Sequence, residues 1–305
     1  MVTTTVQAPT EALLKYAAKV EWQLIVVGDK KTPHDLYRAL EQGPKPIRYL
    51  SPEDQEQRFP ALSATIPWNC IERRNIGFVE AYRLGAEVIA TVDDDNIPYE
   101  SWGEELLIGR DVEIDLYATN DPVFDPLSVT EHSQLWHRGF PLELLHHRHS
   151  VRYDGKAQRR VLMQADLWDG DPDIDAIARI TFAPCVKFSG VRGPFGSDAL
   201  APFNSQNTFI AREVFPHYCV LPFVGRISDI WAAYLAQRQF PSSLVFAAPS
   251  VFQRRNPHDL IRDMEAELLG YRQTMQFVAD IDRAEDLLPE ETRRFLKVYR
   301  REFVC

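Results

Sequence analysis

The chain has 305 residues, of which 45% are hydrophobic and 26% are charged, and its formal net charge is -10 at pH 7. This composition argues against wholesale disorder and a fibrous architecture, and the acidic balance argues against nonspecific binding to nucleic acid. No apolar run approaches the roughly 20 residues that span a bilayer, and the first residues lack a signal-peptide pattern, so we expect a cytoplasmic protein without a membrane span.

The first third of the chain alternates between helix and strand patterns. Residues 11–20 have the pattern of a short helix, and residues 22–27 form a compact run rich in β-branched side chains, which predicts a buried strand. A second strand is predicted at 47–50, a helix at about 75–84 and a third strand at 88–92. This alternation is typical of an α/β fold with a mainly parallel sheet flanked by helices, in which ligands bind beyond the carboxyl ends of the strands.

The rest of the chain divides into an irregular middle and a helical end. Residues 122–202 mix Pro, Gly, His and charged residues, and we expect acceptor-side loops and short strands there. Apolar residues recur at helical spacing over 260–275, and a second helix is predicted at 290–303. We therefore expect a main domain over residues 1–256 and a C-terminal helical appendage over 257–305, where contacts of a homo-oligomer could form.

Three consecutive aspartates, Asp93, Asp94 and Asp95, directly follow the third predicted strand. Neighbouring carboxylates repel one another and lose solvation, and a divalent cation removes both costs. Because side chains two apart on an extended segment point the same way, we predict that Asp93 and Asp95 share Mn²⁺ or Mg²⁺, with Asp94 turned toward a ribose. His258 is a candidate third ligand, and the ordinary alternative for the triplet is a solvated loop or helix cap.

Two further segments are candidates for holding a nucleotide. Gly28 and Asp29 end the first predicted strand and Lys31 follows, which offers a carboxylate for a base or ribose and a cation for phosphate. Arg73 and Arg74 precede the helix that begins near Asn75, where a helix N-terminus and a guanidinium could hold a diphosphate together. The ordinary alternatives are a polar loop after a strand and a solvated basic turn.

The segment 202–208 places amides and hydroxyls beside apolar residues. Its Asn204, Gln206 and Asn207 side chains are candidates for hydrogen bonds to sugar hydroxyls, and an Asn- and Ser-rich turn is the alternative. Asp229 lies at the mouth of an apolar helix beside Trp231, where it is either a helix cap or a group that binds or deprotonates a sugar hydroxyl.

Several of these segments, in matching order, resemble the STELLO-type glycosyltransferases. The resemblance is carried by residues 27–33, 73–78, 85–86, 93–96, 202–208 and 229–231. It implies a GT-A type fold over the main domain and a nucleotide-sugar substrate held beside the aspartate triplet.

A second set of segments is similar to the reversibly glycosylated polypeptides, a family that includes UDP-arabinopyranose mutases. These segments are 138–141, 167–168, 172–176, and 225–226 together with 229–231. This similarity implies a place for Trp168 in the sugar pocket and an arginine that accepts sugar reversibly. Arg159 is the nearest candidate for that arginine, and Arg160 is the alternative.

The residues and the two resemblances together give three hypotheses. The main one is a metal-dependent mutase that interconverts the pyranose and furanose forms of a UDP- or GDP-linked sugar and needs no acceptor. The alternative is a glycosyltransferase that moves the sugar to an acceptor, with Asp229 as a general base. The third is a nucleotide-sugar-binding protein without catalytic activity.

Overall fold

A computed structural model describes residues 1–44, 47–256 and 259–304. The strands are Val2–Thr5 (β1), Ile25–Gly28 (β2), Arg48–Leu50 (β3), Val88–Val92 (β4), Asn96–Pro98 (β5), Asp111–Ala118 (β6), Arg152–Arg160 (β7), Met163–Gly170 (β8), Phe195–Gly196 (β9), Asn207–Ala211 (β10) and Leu244–Gln253 (β11). The α-helices are Glu11–Ala17 (α1), His34–Glu41 (α2), Pro52–Arg58 (α3), Pro60–Ser63 (α4), Arg74–Arg83 (α5), Ala176–Phe182 (α6), Ser228–Gln239 (α7), Leu260–Ala279 (α8) and Glu290–Arg301 (α9). None of the helices described is both long and apolar enough to cross a bilayer.

The strands form a single sheet over the described residues, in the order β3-β2-β1-β4-β10-β8-β11-β9-β6-β7, with β5 paired to β11. The first four strands of this order are parallel, and β8 and β11 are also parallel to each other. Strand β10 runs antiparallel between β4 and β8, so β4, β8 and β11 all point the same way. The predicted α/β class, with a mostly parallel central sheet flanked by helices, is confirmed.

The elements predicted for the first third of the chain are present with small shifts of their ends. Strand β4 has the predicted bounds, and α5 begins one residue before the predicted helix. Strand β1 was not predicted, and it lies between β2 and β4 in the sheet. Its sequence, Val-Thr-Thr-Thr, lacks the apolar run that identified the other strands. Pairing with a strand on each side stabilises β1 in spite of this.

The expectation of short strands in the middle of the chain is wrong for β7 and β8, which have nine and eight residues. Strand β8 is buried along its whole length although it contains Gln164, Asp166 and Asp169. Polar residues inside a buried strand interrupt the apolar pattern from which strands are predicted. Hydrogen bonds between side chains, such as the one from Gln164 Nε2 to Asp166 Oδ1 at 2.8 Å, make their burial possible.

The two predicted C-terminal helices are α8 and α9, and both pack against the sheet domain. Phe277 of α8 stacks on Trp231 of α7 with ring centroids 4.4 Å apart. The Tyr299 hydroxyl of α9 lies 3.0 Å and 2.9 Å from the backbone carbonyl oxygens of Phe215 and Tyr218. These helices therefore share the main hydrophobic core. The division into two domains, the homo-oligomer contacts and the cytoplasmic location stay predictions.

The Tyr299 contacts predict how strongly α9 is coupled to the rest of the fold. Replacing Tyr299 with phenylalanine should lower the free energy of unfolding by about 1–3 kcal/mol, because two buried carbonyl groups lose a donor. Urea unfolding followed by circular dichroism measures the change. The matched control is Tyr153→Phe, whose side chain is 55% exposed, and it should stay within about 0.5 kcal/mol of the wild type. Equal stability of Y299F and the wild type would contradict this coupling.

Candidate active site

A cavity of about 160 Å³ lies beyond the carboxyl ends of β4, β8 and β11. This is the edge of the sheet where α/β proteins bind ligands. Its lining residues are Ile71, Asp93, Asp95, Arg138, Asp173, Ser205, Gln206, Arg226, Asp229, Gln253 and Arg255. The cavity therefore brings together four residues predicted from the sequence, Asp93, Asp95, Gln206 and Asp229.

Asp93 and Asp95 differ in how their carboxylates are satisfied. Asp93 Oδ1 accepts a hydrogen bond from the Arg74 guanidinium, whereas Asp95 Oδ1 is buried and has no hydrogen-bond partner among the described residues. Burial raises the pKa of Asp95 to about 7, and the charges of Asp93 and Asp94 contribute to the rise. A buried oxygen without a partner, beside two further carboxylates, has the chemistry that a hard divalent cation needs. The residues present thus suit Mn²⁺ or Mg²⁺.

Protein ligands alone would not complete the shell of such a cation. Among the residues described, no group of three or more His, Cys, Asp or Glu side chains is arranged to bind a metal ion. The predicted third ligand, His258, lies outside the described residues. A cation at Asp93 and Asp95 would therefore take several ligands from substrate oxygens or water, which is common for Mg²⁺.

Asp94 points toward β1 rather than into the cavity. Its Oδ2 accepts a hydrogen bond from the Thr5 hydroxyl, and its backbone carbonyl accepts one from Thr10 Oγ1 at 2.5 Å. Burial raises the pKa of Asp94. The alternation expected for the triplet is present, and the contact of Asp94 with a ribose stays a prediction.

Arg138 bridges two buried aspartates on the wall of the cavity. Its guanidinium donates to both oxygens of Asp173 at 2.9 Å and to the two oxygens of Asp229 at 3.0 Å and 3.1 Å. It also donates to the backbone carbonyl of Arg226. Burial by itself would raise the pKa of Asp173, but the charge and hydrogen bonds of Arg138 outweigh it and hold that pKa well below the usual range.

The predicted sugar-binding segment is tied to these two aspartates. The backbone N–H and the hydroxyl of Ser205 donate to Asp229 Oδ2 at 3.0 Å and 3.2 Å. Asn204 Nδ2 donates to Asp173 Oδ2 at 2.9 Å. Because the Asp229 carboxylate already accepts hydrogen bonds from Arg138 and Ser205, the geometry favours a positioning role for it over proton abstraction.

Gln206 and Asn207 have different surroundings. Gln206 precedes β10 and lines the cavity, whereas Asn207 begins β10. Asn207 Nδ2 donates to the Ser250 hydroxyl at 2.9 Å, and Asn207 Oδ1 accepts from Trp102 Nε1 at 2.9 Å. The expectation that Asn207 lines the sugar pocket is corrected, and its amide instead links β10 to β11.

The two tryptophans predicted to contact sugar are core residues. Trp231 is fully buried, and its Nε1 donates to Thr274 Oγ1 at 3.0 Å on α8. Trp168 is 4% exposed and packs edge-on against His137 with ring centroids 5.6 Å apart. Neither ring lines the cavity. Their apolar bodies stabilise the fold, and both assignments are corrected.

Arg73 and Asn75 do not reach the cavity. The Arg73 guanidinium is fully buried and donates to Gln55 Oε1 at 2.9 Å and to the backbone carbonyl and the hydroxyl of Ser63 at 3.0 Å and 2.7 Å. Asn75 exchanges hydrogen bonds of 2.7 Å and 2.8 Å with the backbone of Val220. Their polar groups are occupied within the protein, so the expected contact with a diphosphate is corrected. Arg74, the neighbour between them, contacts Asp93 instead.

The segment after β2 lies beside the β1 end of the site. A Cβ atom on Gly28 would lie 2.1 Å from the Tyr49 hydroxyl, which explains the glycine. Asp29 is buried, and its carboxylate accepts hydrogen bonds from the backbone N–H groups of Lys30 and Asn69, both at 2.6 Å. Lys31 is exposed. None of the three predicted residues lines the cavity, and their contact with a nucleotide stays a prediction.

Arg159 and Arg160 lie far from the cavity. Both are on β7, the edge strand, which is three strands from β11 in the sheet order. Asp198, the partner of Arg159, accepts a hydrogen bond from Ser242, which precedes the amino end of β11, whereas the cavity lies at its carboxyl end. Arg159 forms a 2.7 Å ion pair with Asp198, and Arg160 lies 3.8 Å from Asp111 with 59% of its side chain exposed. The expectation that one of them accepts sugar in this site is corrected.

Sequence reasoning missed four charged residues that line the cavity, namely Arg138, Asp173, Arg226 and Arg255. Arg138 and Asp173 belong to segments that carried the second resemblance, but no role was assigned to them. They are 35 positions apart in the sequence, so no local pattern shows that they pair. The only usable signal was the need of any buried charge for an opposite charge.

Comparisons with known proteins give matches of low sequence identity. No protein-family model matches it. Two Arabidopsis thaliana proteins named probable glycosyltransferases, STELLO2 and STELLO1, are each 25% identical to it over 251 and 249 residues, which is 75% of this chain. The chain spans 32% of the length of each. The predicted resemblance to the STELLO proteins is confirmed at this level of identity.

Solved structures of glucosyl-3-phosphoglycerate synthase from Mycobacterium tuberculosis also align with the chain. The complex with phosphoglyceric acid gives a TM-score of 0.46 at 13% identity and covers 95% of this chain and 81% of that one. The complex with Mn²⁺ and uridine-diphosphate-glucose gives a TM-score of 0.44 at 12% identity, with coverages of 90% and 79%.

The Arg138 bridge predicts a pH-dependent effect on stability. Replacing Arg138 with methionine should lower the free energy of unfolding by about 3–5 kcal/mol at pH 7, because buried carboxylates lose their cation. The low pKa of folded Asp173 contributes stability that is present above the ordinary aspartate pKa of about 4 and is lost as the pH falls below it. The difference between wild type and R138M should therefore shrink below about pH 4.

Chemical denaturation at several pH values measures this difference. The matched control is Arg152→Met, which removes an arginine whose side chain is 67% exposed and should change stability little at any pH. A loss in R138M that does not vary with pH would show that Arg138 acts through packing alone.

Proposed function

We propose that this chain is a glycosyltransferase of GT-A type that transfers a sugar from a UDP- or GDP-sugar to an acceptor, with Mn²⁺ or Mg²⁺ at Asp93 and Asp95. The observation that carries this proposal is the cavity in which two carboxylates after β4 face a hydrogen-bonded polar wall formed by Arg138, Asp173 and Asp229. The similarity to the two STELLO proteins supports the same reaction class.

The two ends of the cavity suit the two parts of a nucleotide-sugar. A cation at the aspartates would stabilise the negative charge that develops on the departing nucleoside diphosphate. Arg74 fixes the orientation of Asp93, and Asp95 offers a buried oxygen that has no hydrogen-bond partner among the residues described. On the opposite wall, Gln206 lines the cavity, and a side-chain amide can both donate hydrogen bonds to sugar hydroxyls and accept them.

The polar wall also meets the requirement that a catalytic site be held rigid before substrate binds. Arg138 holds Asp173 and Asp229 through four hydrogen bonds, and Ser205 adds two more to Asp229. Groups fixed in this way do not have to reorganise during the reaction, which is the main source of electrostatic catalysis. Asp229 thus serves the reaction by positioning.

The mutase hypothesis receives less support than the transferase hypothesis. The arginine that the mutase resemblance implied is not at the cavity, since Arg159 and Arg160 lie on the far edge of the sheet. The sequence similarity to named proteins points to glycosyltransferases. We therefore place transfer to an acceptor ahead of ring isomerisation.

The experiment that separates these reactions uses the full chain with Mn²⁺ and a panel of UDP- and GDP-sugars. NMR of the products distinguishes a transferred sugar from a pyranose or furanose isomer of the donor. If the addition of candidate acceptors accelerates the release of nucleoside diphosphate, the transferase proposal is supported. Ring isomerisation in the absence of any acceptor would overturn it in favour of the mutase.

The role of Asp95 predicts the effect of a conservative substitution. Asp95→Asn keeps the size of the side chain and removes its charge, so turnover should fall by at least about 100-fold because the cation loses an anionic ligand. The rate of nucleoside diphosphate release measures this change. Asp111→Asn is the matched control, since the Asp111 side chain is 72% exposed on β6 and should leave turnover unchanged. Full activity of D95N would contradict the assignment of the metal site.

A further inference from the structure

A cluster of three arginines, Arg179, Arg226 and Arg255, lies along one side of the cavity. Arg226 and Arg255 line the cavity itself, and Arg179 stands behind Arg255 across Asp171. The mechanism proposed above uses none of the three side chains. Three positive charges close to a predicted diphosphate site favour the binding of a negatively charged group.

The three arginines differ in their ion-pair partners. Arg226 forms ion pairs with Glu267 at 2.9 Å and with Asp263 at 3.2 Å. Asp171 is shared, because it accepts a hydrogen bond from the Arg179 guanidinium and lies 3.3 Å from Arg255 Nε. One carboxylate thus serves two guanidinium groups.

Arg255 also has an unused donor in a buried position. Its side chain is only 7% exposed. Asp171 Oδ2 forms an ion pair with Arg255 Nε at 3.3 Å, but the Nε–H group has no hydrogen-bond partner within the part of the chain that the structure describes. Burial lowers the pKa of Arg255 and the charge of Arg179 lowers it further, while the charges of Asp173 and Asp171 offset part of this shift. A buried cation in this condition gains free energy by binding an anion.

The position of Arg255 connects it to the predicted metal site. It follows β11 by two residues, and the preceding N–H of Arg254 donates to the backbone carbonyl of Asp95 at 3.0 Å. Gln253, which is 1% exposed, lines the cavity beside it. An anion in the cavity would therefore lie between the aspartates after β4 and the arginines after β11 and before α7.

We propose that Arg255, together with Arg226, binds a phosphate group of a substrate. A planar guanidinium matches the geometry of phosphate oxygens and binds them through paired hydrogen bonds. The inference rests on the proposed function, because the phosphate is taken to belong to a substrate of the transfer. Two sources have this chemistry, the diphosphate of the donor and a phosphate carried by the acceptor.

Binding of inorganic phosphate to the full chain, measured by isothermal titration calorimetry in EDTA, tests the subsite without metal, donor or turnover. Arg255→Gln should weaken phosphate binding by about tenfold or more, because a charge-assisted hydrogen-bond pair is lost. Arg254→Gln removes the same charge from the adjacent residue, whose side chain is 70% exposed, and should bind phosphate like the wild type. Equal weakening in both variants would overturn the subsite, since it would reflect net charge alone.

Two further measurements decide the matter if R255Q does not fold. Arg255→Lys keeps the charge and removes the planar fork, so it should bind phosphate several-fold more weakly than the wild type. Wild-type affinity in R255K would overturn the proposal. So would a wild-type chain that binds no phosphate.

A competition experiment identifies the source of the phosphate. The competition is carried out in the presence of Mn²⁺. If UDP or GDP displaces inorganic phosphate and the corresponding nucleoside does not, the subsite belongs to the donor diphosphate. Phosphate that binds together with the nucleoside diphosphate assigns it to the acceptor. Because phosphate binding is measured without turnover, an absence of sugar transfer would defeat the proposed function and leave the subsite intact.

Discussion

The candidate site depends on the burial of Arg138 between Asp173 and Asp229. A guanidinium removed from water is tolerable only when opposite charges and acceptors surround it, and here the two aspartates and the Arg226 carbonyl provide them. Asp173 precedes α6 and Asp229 lies in the first turn of α7, so a single cation fixes the loops that lead into both helices. Removing it would leave two acids buried at the wall of the cavity.

This bridge extends into a network that reaches the aspartate triplet. Ser205 donates to Asp229 and its backbone carbonyl accepts from Arg74 at 2.5 Å, and Arg74 in turn contacts Asp93. The polar wall and the predicted metal site are therefore parts of one hydrogen-bonded structure. On the other side, Glu267 of α8 holds the side chain of Arg226, so the C-terminal helices also help to shape the cavity.

The sequence could predict the parts of the site that depend on local order. The position of Asp93 and Asp95 after a buried strand indicates the correct edge of the sheet, and Gln206 and Asp229 reach the same cavity. Errors arose where adjacent residues point in different directions. The Arg73 guanidinium is buried against Gln55 and Ser63, whereas that of Arg74 contacts Asp93. Asn207 is bonded to Trp102, whereas its neighbour Gln206 lines the cavity. In both places the segment was predicted correctly and one of its side chains was not.

Other features of the site could not be predicted from the sequence because they depend on long-range contacts. The pairing of Arg138 with Asp173 and Asp229 joins positions up to 91 residues apart. Trp231 is adjacent to the site in sequence, yet its ring stacks on Phe277 in the core, and only the position of α8 reveals this. The polar residues of β8 interrupt its apolar pattern, so this central strand was not predicted. Asp169, for example, accepts hydrogen bonds from Tyr99 and Phe188, which are distant in the sequence.

The most direct test of this account is anomalous diffraction from crystals of the full chain grown with Mn²⁺ and a nucleoside diphosphate. The account predicts a manganese peak at the Asp95 carboxylate, with the diphosphate between it and the wall that contains Arg138 and Asp229. A manganese peak or a nucleotide bound elsewhere on the protein, with this cavity occupied only by water, would contradict it.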